Sequence, residues 1–143
     1  MLRIGVISDT HGLLRPQALA ARQGSNYIVH GGDIGNAGIL DQLRAIAPLT
    51  VVRGNNDRAD WARDVPDTAT LALDGVKLYA VHDIATLDID PVIAGVQVVV
   101  YGHSHSPVVR WRDGVLYLNP AAPGRAVSSG PSVLPKCWLR ALR

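Results

Sequence analysis

Five short stretches of the chain carry side chains able to hold metal ions: Asp9 with His11, Asp33, Asn55, His82, and the pair His103 and His105. The last pair lies in Tyr101-Gly102-His103-Ser104-His105-Ser106, directly after an apolar run, Val96 to Val100, that reads as a buried strand. On extended backbone alternate side chains share a face, so His103 and His105 are expected to point into one pocket. Four neutral imidazoles, two carboxylates and one amide oxygen suit borderline divalent ions, with Mn²⁺, Zn²⁺, Fe²⁺, Ni²⁺ and Co²⁺ as candidates. The set holds no thiolate or thioether, which argues against Cu(I) and iron–sulfur clusters.

Seven donors are too many for one ion and natural for two, if a carboxylate bridges them and each ion keeps a place for solvent. The carboxylates neutralise only half of the charge that two divalent ions bring, so the pocket can still receive a phosphate. Ions about 3.5–4 Å apart lower the pKa of a bridging water, hold the phosphoryl oxygens and stabilise the leaving oxygen of an in-line displacement. The expected chemistry is hydrolysis of a phosphate ester by a metal-bridging hydroxide, with no covalent enzyme intermediate.

Such donors need strand ends to carry them, the usual position of a site in an open α/β sheet. Residues 2–8 read as a central strand that delivers Asp9 and His11, and residues 27–30 as a second that delivers Asp33. Residues 13–22 are helix-compatible, with Pro16 suited to the first turn. Residues 37–47 place Ile39, Leu40, Leu43 and Ile46 on one helical face that should stop before Pro48. Residues 49–53 form a third strand leading to Asn55, which completes a βαβαβ pattern and predicts a parallel sheet.

The second half changes character. Residues 58–68 read as an exposed loop with a short helical turn. Asp74-Gly75 and Asp113-Gly114 signal hairpins between residues 69–73 and 76–81 and between residues 108–112 and 115–118. A short helix is expected over 87–94, and an extended segment over 132–141 whose Pro135 predicts an edge strand or a bulge.

At 143 residues and 48% hydrophobic content the chain reads as a single domain, 1–143, with a core that must be mostly aliphatic because phenylalanine is absent. Its single cysteine, Cys137, excludes an internal disulfide framework and fits a reducing compartment. The formal charge is +2, with basic residues spread out, so the C-terminal arginines read as a solvated face. The N-terminal apolar run is too short for a signal peptide, and no stretch reads as a membrane span, so a cytoplasmic protein is expected. G-x-G-x-x-G and G-x-S-x-G are both missing, which argues against a dinucleotide-binding domain and a serine hydrolase.

The ordered motifs DTHG, GGDIG, GNND, a lone His82 and GHSH resemble those of the calcineurin-like metallophosphoesterases, closest to the small YfcE-like phosphodiesterase branch. The resemblance covers residues 4 to about 125. It implies a two-sheet β-sandwich flanked by helices, a four-layer α/β/β/α arrangement. It also implies a first metal held by Asp9, His11, Asp33 and His105, and a second held by Asp33, Asn55, His82 and His103, with Asp33 as the bridge. Relatives in the branch act on phosphodiesters or aryl phosphates with Mn²⁺ or similar ions, and some form homodimers. A small phosphorylated substrate and no membrane partner follow, with nucleic acid left open.

The chain departs from the family pattern at three places. Where many members carry a histidine that protonates the leaving group, this chain has Asn56, whose amide cannot release a proton at neutral pH. Good leaving groups or a substitute acid are therefore expected. Asn56, Asp57 and His103 make up the expected catalytic set, with Asp57 read as a supporting residue rather than a ligand. Asp83 follows His82 where relatives have glycine, and is expected either to orient His82 or to repel phosphate. Asn119-Pro120-Ala121-Ala122 stands where N-P-G-S is common. Arg53, Arg58 and Arg125 are the nearest candidates for a phosphate clamp, and His30 reads as a structural histidine. The competing function is a non-catalytic scaffold or protein-interaction module of the same fold, as in the retromer subunit.

Overall fold

The computed structural model describes residues 3–121 and 138–140. Three short parallel strands, β1 (Arg3–Ile7), β2 (Tyr27–His30) and β3 (Leu49–Val51), alternate with two helices, α1 (Pro16–Ala21) and α2 (Ala37–Arg44). Pro16 occupies the first turn of α1, where its missing N–H leaves no bond unmade. Asn36 caps α2 by accepting from the Ile39 amide at 3.2 Å. Apolar residues at Ile39, Leu40 and Leu43 bury one face of that helix against Ile7, Ile28 and Val51 on the outer side of the sheet.

The second half builds β4 (Thr68–Leu73), β5 (Val76–Val81), β6 (Val98–Val100), β7 (Val108–Arg112) and β8 (Val115–Asn119), in spatial order β4-β5-β6-β8-β7. Both Asp-Gly hairpin turns hold two residues at positive φ, 49° and 79° at Asp74 and Gly75, and 52° and 77° at Asp113 and Gly114. This is the turn whose twist matches its flanking strands. The last strand, β9 (Trp138–Arg140), pairs antiparallel with β1 at an edge of the first sheet, giving the order β3-β2-β1-β9. Arg125, Cys137, the residues of the 119–130 loop beyond Ala121, and most of the extended segment expected over 132–141 lie outside the described residues.

The period-2 alternation of strands separates two aliphatic layers. Ile4, Val6 and Val29 of the first sheet, with Val52 just beyond β3, meet Leu78, Ala80, Val98, Val100, Leu116 and Leu118 of the second. On the second sheet's far side, Tyr79, Val81, Val99 and Val115 pack beneath Ile84, Leu87 and Ile89. The α/β two-sheet sandwich expected from the sequence is present. The outermost layer differs in detail: the short helix expected over 87–94 does not form. A 3-10 turn at Ile84–Thr86 and one isolated turn after it take its place. Pro91 has no N–H to donate, the Asp90 carboxylate competes for the Val92 amide at 3.0 Å, and Gly95 turns left-handed at φ 73°. No helix among the described residues is long and apolar enough to cross a membrane.

Leu43 is fully buried where α2 meets the first sheet, whereas Ile93 is 85% exposed. Leu43→Ala is expected to lower unfolding stability by about 2–5 kcal/mol, and Ile93→Ser by no more than about 0.5 kcal/mol, both read by urea denaturation.

Candidate metal centre

The carboxyl ends of β1, β2, β3, β5 and β6 meet at one edge of the sandwich. Beyond β1 and β2 the strand-like pairing continues into the loops. Gly31 donates to Ile7, Asp9 to Gly32, His11 to Asp33 and Gly12 to Ile34, all between 2.8 and 2.9 Å. These bonds hold Asp9, His11 and Asp33 in left-handed backbone, at φ 54°, 47° and 56°. That region costs an L-residue about 1–2 kcal/mol, and Asp and His are among the side chains that visit it most readily.

Two close approaches, one between the sheets at Gly102 and one within the first sheet at Gly54, depend on positions that lack a side chain. A Cβ on Gly102 would run into the Asp9 carboxylate, and one on Gly54 into Asp33. Asp9 accepts from the His103 amide at 3.2 Å and Gly102 donates to the His82 carbonyl at 2.9 Å, so the first sheet's carboxylate anchors the second sheet's loop. Asn119 adds a second anchor, donating to the Gly102 carbonyl at 3.0 Å and to Ser104 Oγ at 3.1 Å.

His103 and His105 do not lie on extended backbone, which corrects the expectation drawn from their spacing. Strand β6 stops at Val100, and both residues are left-handed, at φ 71° and 59°. The loop sends the two rings to different neighbours. His105 Nε2 lies 3.1 Å from His11 Nε2 and 3.3 Å from Asp9 Oδ1. His103 Nδ1 lies 3.2 Å from Asn55 Oδ1. One candidate group thus comprises Asp9, His11, Asp33 and His105, whose donor atoms all fall within 4.8 Å of one another. Asn55, His82 and His103 gather beside it, with His82 Nε2 3.0 Å from Asn55 Oδ1.

Asp33 stands between the groups. Its Oδ2 lies 3.8 Å from His11 Nε2 on one side and 3.3 Å from His82 Nε2 on the other. His82 Nδ1 faces the Gly31 carbonyl at 2.7 Å and so carries a proton. Its other ring nitrogen then meets two oxygens, those of Asn55 and Asp33, and a positive species between them satisfies all three atoms. Burial opposes charge on His82 most strongly, yet hydrogen bonds to Asp33 and Gly31 and the carboxylates of Asp33 and Asp9 prevail and raise its pKa. A divalent ion meets the same demand without the proton, so the donor set fits a metal.

The supporting residues divide their work. Asn56 donates to Asp33 twice, from its backbone at 2.9 Å and from its side chain at 3.0 Å, so its amide is engaged by the central carboxylate. Asp57 is buried and accepts from the Ile34, Gly35 and Gly54 amides between 2.9 and 3.1 Å, tying the loops after β2 and β3 together. Arg53 gives two bonds to Asp67, and Arg58 donates through Nε to the Asn55 carbonyl at 3.1 Å. Both arginines line an open cleft of about 740 Å³ beside Asn55, His82 and His103, with Asp67, Asp83 and Asp88 also on its walls. Asp83 does not orient His82, whose Nδ1 is already held by Gly31; its nearest imidazole is His103.

His30 is fully buried. Its Nδ1 accepts from the Gly32 amide at 3.0 Å, so Nε2 carries the proton and donates to Thr10 Oγ1 at 3.0 Å. Thr10 in turn donates to the Ile34 carbonyl at 2.7 Å. This relay requires a neutral ring, and burial, reinforced by the charges of His82 and Arg22, lowers its pKa to about 3. No motif marks Thr10 as a partner in sequence, though its place between two donors could have suggested one.

An unfolded chain binds a proton at His30 below pH about 6.5, while the folded chain excludes it down to about 3. Below the unfolded value the unfolded state therefore binds more protons, and stability falls as pH drops through that window. In metal-free protein, His30→Gln is expected to lower stability at pH 7.5 and to flatten its decline between pH 6.5 and 4, measured by urea titrations of parent and variant.

A profile of the calcineurin-like phosphoesterase superfamily domain matches residues 2–134. A probable metallophosphoesterase of Methanothermobacter thermautotrophicus is 31% identical over an alignment that covers 92% of this chain and 83% of that one. Among solved structures, Vacuolar Protein Sorting 29 from Cryptosporidium parvum superposes with a TM-score of 0.74 at 21% identity, over 89% of this chain and 77% of that one. YfcE, a phosphoesterase from Escherichia coli, superposes with a TM-score of 0.62 at 22% identity, over 85% and 80%. At these identities the two structures establish likeness of fold alone. The matched profile, the sequence relative and the two-sheet architecture agree, and the chain belongs to the calcineurin-like phosphoesterase superfamily.

Proposed function

We propose that this protein is a phosphodiesterase that works with two divalent metal ions, manganese foremost, on a small phosphorylated substrate. The observation that carries the reading is the place of Asp33, whose single Oδ2 lies within 3.8 Å of His11 and 3.3 Å of His82, one from each candidate ligand group. Asp9, His11, Asp33 and His105 would hold the first ion, and Asp33, Asn55, His82 and His103 the second. Bound there, the pair supplies a water of lowered pKa as nucleophile and positive charge for the phosphoryl oxygens.

The chain's own residues do the rest. Asn56 fixes both oxygens of Asp33, Asp57 sets the loop that presents Asn55, and Gly31 fixes the His82 tautomer. Among the described residues, Arg58 is the cation of the cleft held only through Nε, which leaves its terminal nitrogens for a substrate anion. With Asn56 engaged by Asp33, the position that serves as proton donor in many relatives supplies none, which favours substrates whose leaving group departs as an anion. A reducing, cytoplasmic setting, a single domain and a homodimer belong to the same reading. A non-catalytic protein-interaction module is the competing one, and it predicts no metal-dependent turnover.

The test is hydrolysis of an aryl phosphodiester with and without Mn²⁺. The parent should turn over only with metal, and Asp33→Ala should fall to the metal-free background; undiminished turnover by that variant would end the proposal. Asn56→His should raise rates on alkyl esters relative to nitrophenyl esters, and an equal effect on both would count against a missing proton donor.

A further inference from the structure

Two histidines are assigned to the second ion, and each needs one ring nitrogen protonated and the other bare. For His82 the Gly31 carbonyl makes that choice. For His103 the described residues offer one acidic partner on the far side of the ring. Nδ1 faces Asn55 Oδ1 at 3.2 Å, and Nε2 faces Asp83 Oδ2 at 3.9 Å. The second distance is beyond that of a hydrogen bond, so the carboxylate stands behind the ring without bonding to it.

Asp83 is held for this task by its own turn. Its Oδ1 accepts from the Ala85 amide at 3.0 Å, capping the 3-10 turn at Ile84–Thr86, and its carbonyl accepts from Thr86 Oγ1 at 2.7 Å. One carboxylate oxygen is thereby fixed on the backbone, and the other is the one nearest His103. The Gly102 amide, bonded to the His82 carbonyl at 2.9 Å, keeps the segments bearing Asp83 and His103 in fixed relation.

Resting on the two-ion reading above, we infer that Asp83 is a positioning residue for His103, keeping the proton on Nε2 and presenting Nδ1 to the second ion. A carboxylate behind a ligand imidazole fixes its tautomer and raises its basicity, and loss of such a partner typically costs 10–100-fold in metal affinity. The second site is then stronger than its three neutral donors alone would make it. Asp83 does this without donating to either ion.

The experiment titrates metal-free protein with Mn²⁺ by calorimetry, for the parent, Asp83→Asn and Asp83→Ser. Both variants keep an oxygen able to cap the Ala85 amide and lose the charge. The second Mn²⁺ is expected to bind about 10–100-fold more weakly in both, with the first unchanged. Asp83→Glu, which restores the carboxylate, is expected to recover most of the affinity lost in the two neutral variants. Unchanged second-site affinity, equal weakening of both sites, or no recovery in Asp83→Glu would each overturn the inference. A parent that binds one Mn²⁺ would overturn the two-ion reading instead, and an affinity for that ion left unchanged by Asp83→Asn would overturn the role of Asp83 as well.

Discussion

Keeping a negative charge on Asp33 is the constraint from which the rest of the site follows. Its side chain is only 2% exposed, and burial by itself would push its pKa upward. Hydrogen bonds from His82 and from the backbone and side chain of Asn56 overcome that penalty and hold the carboxyl well below the usual carboxylate range. Each of those partners comes from a different strand end. Asn56 follows β3 in the first sheet and His82 follows β5 in the second, so stabilising one carboxylate also requires the two sheets to stand in register.

The sandwich meets that requirement with backbone more than with side chains. Four amide-to-carbonyl bonds lace the loops after β1 and β2, Asp57 accepts from two amides of the loop after β2 and one of its own loop after β3, and Asp9 reaches the His103 amide across the sheets. Glycine at 54 and 102 lets those segments come together where any side chain would strike a carboxylate. The carboxylates of Asp9 and Asp33 are held through their own oxygens by the His103 and Asn56 amides, while backbone bonds place the loops that carry the donors, and the candidate centre is organised by the fold itself.

Much of this arrangement was readable from the residues because strand ends announce themselves. A short apolar run stopped by polar side chains, in most cases with a glycine among them, marked the β1, β2, β3, β5 and β6 termini and hence the seven donors. What could not be read was the backbone beyond each strand. The spacing of His103 and His105 suggested one shared face, but both residues are themselves left-handed, and φ is not encoded in residue spacing. The helix expected over 87–94 failed for a related reason: Asp90, Pro91 and Gly95 favour local turn bonds over a continued helical ladder. The clasp of Asn56 on Asp33 and the turn of Asp83 toward His103 depend on contacts between distant segments, for which no single stretch carries a signature.

The left-handed backbone at Asp9, His11, Asp33, His103 and His105 also shapes how such a sequence can drift. Only glycine and a few small polar or imidazole side chains sit comfortably there, and β-branched or bulky residues are strongly disfavoured. Substitutions that survive folding at these five places are consequently drawn from a narrow alphabet of Asp, Asn, His and Gly. Exchanges within that alphabet can erase a metal donor while leaving the chain trace untouched, so a lineage built on this sandwich can surrender its chemistry one donor at a time and keep its shape.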